Sequence, residues 1–217
     1  IFLLLTNVSI PDLESQFLLF AVGGGLAQIL ATVCVILVFK SRNFAVGITL
    51  KKTEVILTAL VGLILIGEGV STISMFLICL GGAGVFFLSK KVSSVDRSNF
   101  SILNKSAVYG LLSGLLFAIS AVCYRSATLS VVSDLVYLRA GFTLLIVILS
   151  QSFVMTIWLA LFEPGQIKLV WLERKKGFWV GVTSLGGSFF WFTAFTLQNA
   201  AYVKAVGQTE LIFSLLI

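Results

Sequence analysis

Apolar runs of about 20 residues, each closed by a short polar break, recur from one end of the chain to the other. That length is what an α-helix needs to cross a hydrocarbon core about 30 Å thick. Spans are read at residues 16–39, 44–66, 71–89, 106–124, 135–162 and 177–197, with the tail of an earlier span at 1–5 and the start of another at Ala200. Gly67-Glu68-Gly69 makes a tight turn after the second full span, and residues 163–176 form a long loop. Composition supports this reading. Hydrophobic residues are 59% of the chain and charged residues 11%, against about 25% charged in a soluble domain. So much apolar surface cannot all be buried inside a globule, and lipid must cover part of it. An all-α, multi-pass integral membrane bundle is expected.

The charges sort by loop. Lys40 and Arg42 follow the first full span, Lys90, Lys91, Arg97 and Lys105 the third, and Lys168, Arg174, Lys175 and Lys176 the fifth. The intervening loops hold Asp12, Glu14, Glu68 and Asp134, with Arg125 the exception. The positive-inside rule puts the basic loops in the cytoplasm. A net charge of +6 therefore points to a lipid bilayer as partner and not to nucleic acid.

Several chemistries are excluded by residue type. With 0 His there is no His-dependent triad, His-ligated metal or ordinary neutral-pH base. Cys34, Cys79 and Cys123 lie far apart in apolar runs and read as small buried hydrophobes. No catalytic residue, metal or cofactor is expected, and the chain is not read as an enzyme.

Two stretches match. NFAVGITLKKTEVILT from Asn43 and NAAYVKAVGQTELIFS from Asn199 align at a constant offset of 156 and share Asn, Ala, Thr-Glu and Ile. Shared Leu and Val would be cheap in apolar helices; a shared intramembrane Thr-Glu is not. The second copy lies five spans after the first, and an odd number inverts one copy relative to the other. Inverted repeats with a site between them are a common plan of secondary transporters. Convergent apolar composition is the alternative.

Glu54 lies about ten residues into its span, about 15 Å along the axis, where an acid costs about 2.5–3.5 kcal/mol on insertion scales. Lys51, three residues earlier on the same helix face, offers a plain structural pairing. Glu210 holds the repeat-equivalent position, with Gly207 in place of Lys51 and Lys204 as the local cation. Both acids, with Lys51, Thr53, Gln208 and Thr209, are expected to line a path for a small-molecule substrate, and either acid is a candidate to carry a coupling proton. Arg139, early in its span, can snorkel to headgroups or serve that path. Trp191, in an aromatic run that covers every helix face, can meet lipid or line a cavity. Small-residue steps such as Gly110/Gly114 and Gly177/Gly181 imply close helix packing.

The run KTEVILTALVGLILIGEGVS from Lys52, followed by a glycine-rich short span, resembles the end of an EamA domain, as does AAYVKAVGQTELIFSLL from Ala200. Both are similar to bacterial permeases of the drug/metabolite transporter superfamily. The resemblance implies ten helices in two inverted five-helix repeats, of which about seven to eight are represented here. It divides the chain into the C-terminal part of a first repeat (1–92), a polar linker (93–105) and a truncated second repeat (106–217). It also implies ATP-independent movement of a small metabolite or drug across a bacterial inner membrane, with an early Arg that Arg139 matches. The acidic first loop departs from many relatives. The chain opens on Ile1 and closes at Ile217 within an apolar run, so a fragment of a longer protein is expected, with a homodimer as a candidate assembly. A non-transporting structural or signalling subunit is the alternative.

Overall fold

The computed structural model describes residues 11–41, 44–92 and 105–210. The span tail at 1–5, Arg42, Asn43, Arg97, most of the linker and residues 211–217 lie outside them. In chain order the elements are β1 (Asp12–Leu13), α1 (Phe17–Phe39), α2 (Phe44–Lys51), α3 (Glu54–Ile66), α4 (Thr72–Val92) and α5 (Lys105–Leu129). They continue with β2 (Val131–Val132), α6 (Val136–Phe162), α7 (Pro164–Leu172), α8 (Arg174–Leu197) and α9 (Ala200–Gly207). Among the described residues α1, α5, α6 and α8 are each long and apolar enough to cross a membrane. The chain is thus a helical bundle of membrane-spanning character.

Two expectations need correction. The span expected at 44–66 is interrupted: α2 ends at Lys51, Lys52 and Thr53 form a turn, and α3 restarts at Glu54. At 1.5 Å per residue the halves measure about 12 Å and about 20 Å, enough together for a hydrocarbon core of about 30 Å and too short singly. The loop expected at 163–176 is largely helical, with Pro at the start of α7 and α8 opening at Arg174. Proline's fixed φ suits the first helical turn, where its missing N–H is no loss.

The chain divides into two compact units. The first comprises the described residues within Ile1–Val22 and Tyr124–Leu197. Here α6 packs on α8. Leu138, Ala140, Thr143, Leu144 and Val147 form the buried stripe of α6, and Phe192, Phe195 and Thr196 that of α8. The 3–4-residue spacing is that of one helix face. Tyr124 stacks on Phe192 with ring centroids 4.7 Å apart. Strands β1 and β2 pair antiparallel, Asp12 opposite Val132. All of α7 and the first half of α8 are exposed.

The second unit comprises Gly23–Cys123 and Gln198–Ile217. Its core joins Val55, Ala59, Ile78 and Ala201 from α3, α4 and α9, with Ile56, Val70, Met75, Tyr202 and Ala205 packed around them. Gly67 closes α3 in the left-handed conformation at φ 68, which costs glycine no Cβ clash. The following Glu68 N–H donates to the Gly62 carbonyl at 3.2 Å. The expected turn after this span is thereby built.

Packing by small residues is local. A Cβ on Gly110 would run into the backbone of Gly47, and one on Gly114 would sit 3.0 Å from the Lys51 carbonyl oxygen. Gly110/Gly114 is therefore the step by which α5 lies directly on α2 and its break. Gly177 and Gly181, expected to act alike, have nothing within 4 Å among the described residues. Cys34 and Cys123 are buried, but Cys79 is exposed, against expectation.

Candidate functional site

The site lies in the second unit, where two helices break in the same way. Helices α2 and α9 each have 8 residues, and their ends correspond at the offset of 156 found in the sequence. In the first arm the Lys52 N–H donates to the Thr49 carbonyl and the Thr53 N–H to that of Leu50, both at 3.1 Å. In the second the Gln208 N–H donates to Ala205 at 3.2 Å and the Thr209 N–H to Val206 at 3.0 Å. The threonine hydroxyls repeat the pattern, Thr53 Oγ1 donating to the Leu50 carbonyl at 2.7 Å and Thr209 Oγ1 to that of Val206 at 2.8 Å. Each turn is tightened to three-residue hydrogen bonds, and each threonine satisfies a carbonyl at the helix end. After the first turn helix resumes at Glu54, and after the second Glu210 is itself helical.

The acids do not pair within their own arms. Glu54 Oε1 lies 2.5 Å from Lys204 Nζ of the other arm, and Glu210 Oε1 lies 3.3 Å from Lys52 Nζ. The expected Lys51–Glu54 pair is thus replaced. Residues three apart share a face only along a continuous helix, and the turn at Lys52-Thr53 breaks that register. Lys204, expected beside Glu210, is drawn to Glu54 instead. The charges also suit the broken ends: Glu54 opens α3, while Lys204 stands in the last turn of α9, each opposite in sign to the helix-end dipole it meets.

Lys51 turns elsewhere. Its Nζ lies 4.7 Å from the centroid of the Phe117 ring on α5, and Lys204 Nζ lies 5.9 Å from the same centroid. The Glu54 side chain is 9% exposed and Lys204 19%, whereas that of Glu210 is 68% exposed. The Gln208 amide oxygen is buried without a hydrogen-bond partner among the described residues.

The structure therefore brings Glu54, Glu210, Lys51, Thr53, Gln208 and Thr209 into the two arms of one unit. Arg139 and Trp191 belong to the other unit. The Arg139 Nε–H donates to the Thr128 carbonyl at 2.9 Å. Trp191 stacks on Phe195 at 5.7 Å and is 38% exposed. Three contributors escaped the sequence. Lys52 stands in the matched stretch with no role of its own to mark it. Phe117 was one apolar residue among many. Arg125, a lone cation at a span end, donates from Nη1 to the Phe195 and Thr196 carbonyls at 2.7 and 2.8 Å and holds the end of α8; its break of the charge alternation was the available signal.

Comparison of the chain with protein-family models, with curated proteins and with solved structures found no match.

Proposed function

We propose that the chain forms the core of a secondary active transporter, a permease of the EamA kind, moving a small metabolite or drug across a bacterial inner membrane. In this reading two inverted five-helix repeats alternate access to a site at the two helix breaks, and a proton is the candidate coupling ion. The observation that carries it is the pair of matched breaks, each bearing a Thr-Glu step whose acid reaches a lysine of the other arm. Discontinuous helices in corresponding places of two halves are how many transporters build a midplane site. Non-helical backbone at membrane depth persists only where protein buries it or water reaches it. A bundle with a purely structural role has no use for that cost twice over.

Uptake by the full-length protein in proteoliposomes, against a panel of amino acids, nucleosides, organic acids and organic cations, tests the reading. At least one solute is expected to move above the rate of empty vesicles, with flux lost in Glu54→Gln. Repeating the assay with an imposed pH gradient checks the coupling ion. A panel in which nothing moves would favour a structural or signalling subunit.

A further inference from the structure

The charges at the breaks do not cancel. Lys51, Lys52 and Lys204 face two carboxylates, Glu54 and Glu210, and the pairs Lys204–Glu54 and Lys52–Glu210 use both acids. Among the described residues Lys51 makes no ion pair of its own and lies over an aromatic face, that of Phe117. The same ring also receives Lys204, so two ammonium groups converge on one phenyl beside the Glu54 carboxylate. Attraction to a phenyl face is weaker than the cost of keeping an ammonium at membrane depth. A half-buried lysine so placed is stabilised by an anion. We propose that Lys51, over Phe117 and beside the Lys204–Glu54 pair, binds the carboxylate of a small monoanionic organic acid.

The charge count sets the class. One monoanion brings the cluster to neutrality; a dianion such as a phosphate monoester would leave an excess negative charge, and an organic cation would add to an excess of positive charge. A lysine also meets an anion as a point charge and does not need the planar, two-pronged geometry of guanidinium. Gly114 lets α5 lie against the Lys51 carbonyl without a side chain between them, and the lysine side chain reaches the Phe117 ring three residues further along α5. The second arm, with Gly207 in place of Lys51, has no such cation, which makes the anion site one-sided.

This inference rests on the proposed transport function, and the test separates the two. Acetate, propionate and benzoate are titrated onto the full-length protein in detergent at constant ionic strength, with thermal stability as the readout. Acetamide, benzamide and benzylamine serve as isosteric neutral and cationic probes. At least one carboxylate is expected to stabilise the native protein at a concentration about tenfold below that of its amide. Lys51→Gln should abolish the preference, Lys51→Arg should keep most of it, and Lys168→Gln on exposed α7 should leave it intact. Circular dichroism of each variant shows that it has folded. Absence of any carboxylate preference in the native protein would overturn the proposal, as would a preference that survives in Lys51→Gln. Flux in proteoliposomes is measured in parallel. Carboxylate binding that depends on Lys51 without transport of any solute keeps this site and removes the transport reading. Transport confined to amines or neutral solutes does the reverse.

Discussion

The two broken arms share a backbone but not an environment. Residues 44–54 and 200–210 run through the same sequence of an 8-residue helix, a two-residue turn, a threonine bonded three residues back and a helical glutamate. Yet the first acid is 9% exposed and the second 68%. The first arm carries Lys51 and is pressed by Gly110 and Gly114 of α5; the second carries Gly207. The break is therefore a property of the local Thr-Glu step, while the exposure of each acid is set by what packs against it among the described residues. The same hydrogen bonds serve a buried charge in one arm and an exposed one in the other.

The steepest way to break the comparison is Glu54→Gln. It leaves Lys204 facing a neutral amide in a buried place, and removal of one partner of a buried pair costs about 3 kcal/mol or more. Chemical or thermal unfolding in detergent reads that loss. Next is Gly110→Leu. Its side chain must displace the Gly47 backbone, with an overpacking cost of about 1–3 kcal/mol, whereas Gly181→Leu, which meets open space, should stay within about 0.5 kcal/mol. Thr53→Val removes the hydroxyl that satisfies the Leu50 carbonyl while keeping side-chain volume, and should cost about 1 kcal/mol. Smallest is Glu210→Gln, where an exposed pair is worth about 0–1 kcal/mol. Equal losses for the two glutamate variants would mean that the arms do not differ in exposure as described.

The sequence exposed the arms by their offset and their shared Thr-Glu, and it located the ends of the long helices to within a few residues. It did not reveal the breaks. Lys52 and Thr53 are neither Gly nor Pro, so the turn carries none of the usual breaker residues. With the break unseen, Lys51 and Glu54 fell on one face and looked like natural partners. The pairs Lys204–Glu54 and Lys52–Glu210 join residues about 150 positions apart, a distance at which local spacing rules say nothing. Arg139 illustrates the same limit: its partner, the Thr128 carbonyl, is backbone, and backbone acceptors leave no trace in residue types. The Gly110/Gly114 step was legible, but so was Gly177/Gly181, and only the packing distinguishes the one that touches a neighbour.

The central claim is that the acid of the first arm and the lysine of the second act together in transport. Flux through the full-length protein in proteoliposomes tests it in four forms: native, Glu54→Lys, Lys204→Glu and the doubly exchanged variant. Each single exchange puts two like charges together and should abolish flux. The double exchange restores opposite charges, although it sets each against its helix-end dipole, and should recover part of the native rate. Native flux in either single exchange, or no recovery in a folded double exchange, would contradict the account.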